Sequence, residues 1–156
     1  MARVHVASWQ TAYRGMIQEL VLKDFTIDKW EDHFQKAITE KTEEIVVTEE
    51  HGNVLGYTII GPSRDEDIGK ENCGEVWGLY ISPDHWRKGL GSRLTEWAFS
   101  ELRSRGYDIV TLWVFQRNVA AVKFYEAMGF VLDGTTKHIR ADAPLAVRYR
   151  KRLSTR

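Results

Sequence analysis

Residues 75–102 read EVWGLYISPDHWRKGLGSRLTEWAFSEL. This stretch combines an apolar strand pattern, a turn, a basic loop with two glycines and an amphipathic helix pattern. The loop places Arg87 and Lys88 directly before Gly89 and Gly91, where the helix begins. Free backbone N–H groups and the positive end of a helix dipole together form a seat for phosphate. The glycine pair alone is a weak signal, since many turns between a strand and a helix need glycine only for a positive φ.

A second stretch, residues 118–130, reads NVAAVKFYEAMGF and predicts another helix. Asn118 is a suitable N-cap, and Gly129 stands where a helix commonly ends. Apolar residues recur at helical spacing between them, namely Ala121, Val122, Tyr125 and Met128. Residues 108–115 form a nearly continuous apolar run, which predicts a strand covered on both faces. The chain therefore repeats a strand followed by a helix.

Together these segments resemble the Gcn5-related N-acetyltransferase superfamily. Its signature is a strand, a Q/R-x-x-G-x-G/A loop and a helix, followed by a strand and a helix that reads N-x-x-A-x-x-F/L-Y-x-x-x-G-F. The resemblance covers about residues 45 to 153. Its second half is the more specific, because the following residues all fall in register: Asn118, Ala121, Phe124, Tyr125, Gly129 and Phe130.

The loop departs from this signature at one position. Trp86 stands where the superfamily has Gln or Arg, which leaves open the contact of that side chain with the cofactor. The opening HVASWQTAYRG and the closing VRYRKRL also look like the broad bacterial subgroup of small-molecule or phosphinothricin-like acetyltransferases.

The resemblance implies an α/β fold, with a mixed central sheet of about six strands flanked by helices in a single three-layer domain over residues 1–156. It also implies acetyl-CoA as the co-substrate, its diphosphate held by N–H groups and cationic side chains of the loop. The cofactor-binding residues that it identifies are Leu79, Tyr80, Ile81, Arg87, Lys88, Gly89, Leu90, Gly91, Ser92 and Asn118. Residues 79–81 would pair with the pantetheine arm and present an N–H group to the thioester carbonyl. Asn118 is also explained as a helix cap, and the two roles are compatible.

Two residues are candidates for the chemistry of acetyl transfer. Spacing alone explains Tyr125 as an aromatic packed on its helix, but the match to FYEAMGF favours it as the acid that protonates the leaving thiolate. Glu75 is the candidate base, because it falls where the histone-modifying branch carries a strand glutamate; a solvated carboxylate is the alternative. Trp113 stands where the branch that acetylates ribosomal N-termini often has a glutamate, which argues against that branch.

Composition limits the partners of the protein. The 22 Lys and Arg residues balance the 22 Asp and Glu residues at a pI near 7.0, so a general electrostatic grip on nucleic acid is not expected. Cys73 is the single cysteine, which excludes an internal disulfide, and the sequence contains no zinc-ligand spacing. No apolar run approaches the ~18 residues needed to span a membrane. We therefore expect a cytoplasmic protein that uses no metal, membrane or nucleic acid.

The remaining segments complete the expected fold. A helix is predicted from about Ala2 with a break near Gly15, and residues 16–41 predict a second helical region. Further strands are predicted at residues 45–49, 54–60, 75–82, 131–139 and 146–153. The first two form a hairpin, a turn around Asp142 and Pro144 joins the last two, and residues 63–72 read as a polar, solvated loop. The basic tail, residues 149–156, is expected to be a solvated edge.

The resemblance implies a strand before the first helix, which this sequence does not contain: either the sequence is trimmed, its start is misassigned, or the sheet opens one strand later than usual. A sheet that lacks its first strand exposes an edge, which a homodimer could cover.

Our first hypothesis is an acetyl-CoA-dependent N-acetyltransferase that acts on a small primary amine. Trp9, Tyr13 and Trp30 could line an aromatic pocket for a cationic or apolar amine, or form an ordinary core. The alternatives are a protein lysine or N-terminal acetyltransferase and a non-catalytic acyl-CoA-binding module.

Overall fold

The computed structural model describes residues 1–69, 72–139, 141 and 143–153. Three helices come first and are followed by a hairpin, two strand-to-helix units and a closing pair of strands. The elements are α1 (Ala2–Ala12), α2 (Glu19–Lys23), α3 (Ile27–Glu40), β1 (Glu44–Glu50), β2 (Asn53–Pro62), β3 (Cys73–Ile81), α4 (Leu90–Ser104), β4 (Ile109–Phe115), α5 (Val119–Ala127), β5 (Val131–Lys137) and β6 (Ala146–Arg152). A short 3-10 helix, Pro83–His85, lies between β3 and α4.

The six strands form one mixed sheet with the order β1-β2-β3-β4-β6-β5. Strands β3 and β4 pair in parallel, and every other neighbouring pair is antiparallel. A parallel pair needs a crossover connection, and α4 provides it. The predicted mixed sheet of six strands is confirmed.

The sheet carries a layer of helices on each face. In β4, Leu112 and Val114 pack into a core with Ala98 and Phe99 of α4. The next residue along the strand, Phe115, packs on the opposite face with Ile17 and Leu22, on and just before α2. Because successive side chains of a strand point to opposite faces, this alternation defines a helix–sheet–helix arrangement of three layers.

Helix α5 begins and ends where its sequence predicts. The side chain of Asn118 accepts a hydrogen bond from the N–H of Ala121 at 3.2 Å, which is N-cap geometry. Gly129, just after the helix, has φ 84° and so supplies the left-handed residue that commonly ends a helix. The predicted cap and stop of this helix are confirmed.

Two predictions need correction. Residues 16–41 form two helices rather than one region, because Thr26 is extended and separates α2 from α3. The loop after β2 is less solvated than expected, since Ser63 is buried and the side chain of Asp65 is 9% exposed. Lys70 and Glu71 of this loop, Asp142 of the predicted turn and residues 154–156 of the basic tail lie outside the described residues.

Candidate functional site

Strands β3 and β4 separate halfway along their length. They pair from Cys73 with Ile109 to Val76 with Leu112, and then both strands continue, β3 as far as Ile81. Backbone N–H and C=O groups beyond the last pair have lost a neighbouring strand and can bond to another extended chain. We call this opening, bounded by residues 77–81 and 113–115, the fork.

A β-bulge lies at the point where the fork opens. Ile59 pairs with Gly78 and Ile60 pairs with Val76, so Trp77 is an extra residue on β3. Bulges re-aim side chains and are common beside active sites. The bulge falls just before residues 79–81, which the sequence predicts to contact the pantetheine arm.

Three tyrosines come from different elements around the fork. Tyr80 lies on the β3 side of the fork, and the ring centroid of Tyr13, directly after α1, is 5.1 Å from that of Phe115 on the β4 side. Tyr125 on α5 packs against the core that contains Phe99 of α4. Burial raises the pKa of Tyr125, and the neighbouring Tyr80 raises it further. Burial likewise raises the pKa of Tyr13, with further increases from Tyr80 and Tyr125. The predicted acid is therefore a protonated phenol, and Tyr80 and Tyr13 are near enough to it to affect their mutual pKa values.

The ring of Tyr80 lies back over the strand that carries it. A Cβ atom added to Gly78 would lie 2.7 Å from Cε2 of Tyr80, closer than real Cβ atoms approach other heavy atoms. Residues i and i+2 of a strand share a face, so Gly78 leaves the space that this ring occupies. The sequence did not single out Gly78.

The glycine loop turns through the left-handed region of the backbone at two residues. Arg87 has φ 61° and Gly89 has φ 81°, both in the left-handed region. Gly89 is the N-cap of α4, whose first N–H groups have no carbonyl partner within the helix. Arg87 and Lys88 are exposed beside it. The predicted seat thus has the N–H groups, the helix dipole and the cations in one place.

The two motif segments meet in space. A Cβ atom added to Gly91 would lie 3.3 Å from Cζ of Phe124, so the first turn of α4 packs directly on α5. This contact places the loop seat beside the helix that carries Asn118 and Tyr125.

Trp86, which replaces the Gln or Arg of the signature, makes a hydrogen bond within the protein. Its indole N–H donates to the carbonyl of Ile81 at 2.7 Å, and 41% of the residue is exposed. The side chain therefore links the start of the loop to the end of β3.

Glu75 is not a solvated carboxylate. It is 1% exposed, and Oε2 accepts from the main-chain N–H of Arg64 at 2.8 Å. The guanidinium of Arg64 donates to Oε1, at 2.5 Å from Nη2 and 3.2 Å from Nε. Glu75 therefore anchors the loop after β2, and its role as a base stays a prediction.

Aromatic side chains cover the α1 side of the fork. His5, which is 3% exposed, lies with its ring centroid 3.6 Å from Trp30 and 4.5 Å from Tyr80. Its Nδ1 lies 2.5 Å from the hydroxyl of Tyr57. Burial, with a smaller contribution from His33, lowers the pKa of His5 to about 3, so the imidazole is neutral.

His5 was not predicted as a site residue. Its spacing of four residues to Trp9 on one helix face was the signal that could have found it. Both side chains keep a buried nitrogen, Nε2 of His5 and Nε1 of Trp9, without a hydrogen-bond partner among the described residues.

A cavity of about 420 Å³ lies between α2 and α3 on this side. Phe25 and Trp30 form part of its wall, and Asp24, Lys29 and His33 supply its polar groups. Phe25 also stacks on Trp9 at 4.3 Å, so the cavity is one aromatic layer away from α1.

A charge network centred on Arg148 lies where the loop after β2 meets the sheet. The sequence did not predict it. The side chain of Arg148 is 4% exposed and donates to Asp133 at 2.7 Å, to Asp67 at 2.6 and 2.7 Å and to Asp65 at 3.2 Å. Asp65 also accepts from the indole N–H of Trp113 at 2.9 Å. The network fastens the loop after β2 to β4, β5 and β6.

Two further observations concern the described residues. They contain no group of three or more His, Cys, Asp or Glu side chains that could hold a metal ion. Among the helices in this part of the chain, none is long and apolar enough to cross a membrane.

Comparison with known proteins identifies relatives of this chain. The uncharacterized N-acetyltransferase YuaI of Bacillus subtilis (strain 168) is 31% identical over 132 residues, which cover 81% of this chain and 70% of YuaI. The L-amino acid N-acyltransferase MnaT of Escherichia coli (strain K12) is 31% identical over 88 residues, 56% of this chain and 50% of MnaT.

The fold also has solved counterparts. The PaiA N-acetyltransferase from Thermoplasma acidophilum, crystallised in complex with coenzyme A, superposes with a TM-score of 0.73 and 18% identity. The match covers 97% of this chain and 89% of the PaiA chain, and it shows a shared fold.

A family model matches most of the chain. The model of the acetyltransferase (GNAT) family matches residues 9–130, which contain the fork, the glycine loop and α5. The chain therefore belongs to the acetyltransferase (GNAT) family and is an acetyltransferase.

Proposed function

We propose that the protein transfers the acetyl group of acetyl-CoA to the primary amine of a small molecule. The observation that carries this proposal is the fork between β3 and β4, with the anion seat of α4 after the end of β3 and packed on α5, the helix that carries Tyr125. The extended pantetheine arm of acetyl-CoA fits an open strand edge, and its anionic diphosphate fits the seat next to that edge.

The residues present fit coenzyme A. Arg87, Lys88 and the N–H groups of residues 90–92 would hold the diphosphate. The edge of β3 at residues 79–81 offers backbone groups to the amides of the pantetheine arm, apart from the Ile81 carbonyl, which accepts from Ser8 and Trp86. The crystallised coenzyme A complex of PaiA supports the same ligand class for this chain.

Acetyl-CoA supplies the acetyl group as a thioester. The nitrogen lone pair of the acceptor attacks the carbonyl carbon, the C–N bond forms, the C–S bond breaks and sulfur leaves with the electron pair. Tyr125 would give its proton to that sulfur, whose developing negative charge makes it the acceptor, and the raised pKa means that the phenol carries this proton at neutral pH. A backbone N–H of β3 would stabilise the charge that develops on the carbonyl oxygen.

Glu75 would take the amine proton, directly or through a water molecule. It lies one residue before Val76, the last residue of β3 that pairs with β4, and so at the base of the fork. Its hydrogen bonds with Arg64 fix the position of the carboxylate.

A small amine suits the acceptor side of the site. Aromatic faces of Trp9, Tyr13 and Tyr80 attract a cation or an apolar group, and the low pKa of His5 keeps that side chain neutral. The name of the relative MnaT, an L-amino acid N-acyltransferase, supports a small acceptor.

The experiment is a screen for coenzyme A release from acetyl-CoA. The panel contains L-amino acids, aromatic and aliphatic primary amines, and lysine-containing and free-N-terminal peptides. Turnover with a small amine supports the proposal, and turnover that is confined to peptides selects the protein acetyltransferase instead. Coenzyme A binding without turnover on any member identifies a binding module.

The proposal includes a cytoplasmic homodimer that covers a sheet edge. Light scattering of the purified protein tests the oligomer, and a monomeric mass at working concentration removes that part.

A further inference from the structure

One carbonyl oxygen joins the two sides of the site. The oxygen of Ile81 accepts from the hydroxyl of Ser8 at 2.8 Å and from the indole N–H of Trp86 at 2.7 Å. Ile81 is the last residue of β3, Ser8 lies on α1 and Trp86 begins the glycine loop. A carbonyl oxygen has two lone pairs, so these two donors together satisfy it.

Each donor belongs to a different binding element. Ser8 is buried, at 6% exposure, and is followed directly by Trp9 of the aromatic wall. Trp86 is followed directly by Arg87, the first cation of the anion seat. A displacement of the loop can therefore reach α1 through a single shared acceptor.

We propose that Ser8 and Trp86 are positioning residues that couple the donor seat to the acceptor wall through the Ile81 carbonyl. This inference rests on the proposed function, since it takes coenzyme A as the ligand of the seat. Trp86 then has a role although it lacks the Gln or Arg side chain of the signature: it fixes the strand end on which the pantetheine arm would lie.

Coupling between two sites is reciprocal in free energy. Coenzyme A binding should therefore increase the hydrogen-exchange protection of α1, although α1 lies on the acceptor side. Conversely, a change at Ser8 on α1 should weaken coenzyme A binding, although Ser8 lies outside the seat. A residue that only stabilises the fold would not make coenzyme A binding protect α1, nor would its substitution specifically weaken coenzyme A binding.

The test measures coenzyme A affinity by calorimetry in Ser8→Ala, Trp86→Phe and the double variant. Each single variant leaves the oxygen with one donor, and we expect binding about 3- to 10-fold weaker. The double variant breaks a link that either single variant has already broken, so its loss should be smaller than the product of the single losses by about threefold or more.

Hydrogen exchange supplies the second measurement. In the unmodified protein, coenzyme A should slow exchange in residues 2–12, and in Trp86→Phe this slowing should be lost at saturating ligand. Trp86→Phe keeps an aromatic ring at a partly exposed position, so the test holds even where Ser8→Ala does not fold. Ser104→Ala is the matched control, because Ser104 also donates to a carbonyl at 2.8 Å but lies at the far end of α4.

The outcomes separate the two claims. Tight binding by the unmodified protein with equal affinity in all three variants overturns the coupling and leaves the proposed function intact. Equal weakening in Ser104→Ala also overturns it, because the effect is then general. An unmodified protein that does not bind coenzyme A overturns the proposed function and this inference with it.

Discussion

Arg64 holds both carboxylate oxygens of Glu75, one through its main-chain N–H at 2.8 Å and the other through its guanidinium at 2.5 Å. The carboxylate is 1% exposed, whereas the Arg64 side chain is 55% exposed. The exposed guanidinium of Arg64 therefore holds the buried carboxylate of Glu75 in place at the base of the fork. The two members of this pair should respond differently to substitution.

Replacing Glu75 separates catalysis from loop anchoring. If Glu75 accepts the amine proton, Glu75→Gln should lower kcat about 100-fold or more, the usual contribution of a general base. Arg64→Ala leaves the carboxylate in place but less well paired. That variant should lose about 1–3 kcal/mol of unfolding free energy, in the range for an unsatisfied buried group.

Steady-state kinetics and thermal melts on both variants check this prediction. A drop in Tm for both variants with kcat unchanged would assign Glu75 to loop anchoring alone.

Tyr125→Phe removes the proposed acid and keeps the ring. We expect coenzyme A affinity to be retained and kcat to fall by about 10- to 1000-fold. Because burial raises the pKa of Tyr125 above its ordinary value of 10.0, the phenol stays protonated and contributes no basic limb to the kcat profile below pH 10. An unchanged kcat in the variant, or a basic limb near pH 8 that the variant lacks, would contradict this role.

Gly78→Ala tests the placement of Tyr80. The new methyl group would lie 2.7 Å from Cε2 of the ring, so the ring must move. A displacement of this size at the fork should lower kcat by about 10- to 100-fold. Gly69→Ala is the control, since a Cβ atom there meets nothing within 4 Å. Equal kcat values for the two variants would show that Tyr80 does not contribute to turnover.

Arg148→Met tests the buried charge network. The substitution leaves Asp65 and Asp133, whose side chains are 9% and 6% exposed, without their guanidinium. Loss of one partner from a buried ion pair costs about 3–5 kcal/mol, which lowers Tm on the order of 10 °C at pH 7. Lys137→Met is the control, because Lys137 also pairs with Asp65 but is 41% exposed and should cost about 1 kcal/mol or less.

The network also makes stability depend on pH. Hydrogen bonds from Arg148 hold the pKa of Asp67 below its ordinary value of 3.8. Burial pushes the pKa of Asp133 upward, but hydrogen bonds from Thr135 and Arg148 outweigh it and the pKa is lowered. Carboxylates with lowered pKa values stabilise the fold above their ordinary pKa, and this stabilisation is lost as the pH falls through the folded-state value.

The Tm difference between the unmodified protein and Arg148→Met should therefore be largest at neutral pH and shrink below about pH 4. Melting curves from pH 7 to pH 3 measure it. A difference that stays constant over this range would mean that these carboxylates do not stabilise the fold through Arg148.

The helices and strands and the backbone geometry of the candidate site could be predicted because their signals are local. The Asn118 cap, the stop at Gly129 and the N-cap glycine of α4, Gly89, each specify a backbone geometry within a few residues. The anion seat and the helix that carries Tyr125 follow from them. That the seat and this helix lie together at the fork could be predicted only from the family resemblance, since spacing along the chain does not show which strands separate.

The long-range partners could not be predicted. Arg148 meets Asp67 across 81 residues, and Ser8 meets Ile81 across 73, so no periodicity connects them. The extra residue Trp77 depends on pairing between β2 and β3, which the sequence of one strand does not encode. Glu75 was recognised as a candidate, but its pairing with Arg64 depends on how the loop after β2 folds back.

The most direct test of the proposed function is a thermal-shift titration with acetyl-CoA, desulfo-CoA and ATP. A ligand at 100 times its Kd stabilises the native state by about 2.7 kcal/mol, which should raise Tm by about 5 °C or more in a domain of this size. The fork and the seat predict such a shift with acetyl-CoA and with desulfo-CoA, and little with ATP, which lacks the pantetheine arm. No shift with either coenzyme A derivative, or an equal shift with ATP, would contradict the assignment of the fork as the pantetheine site.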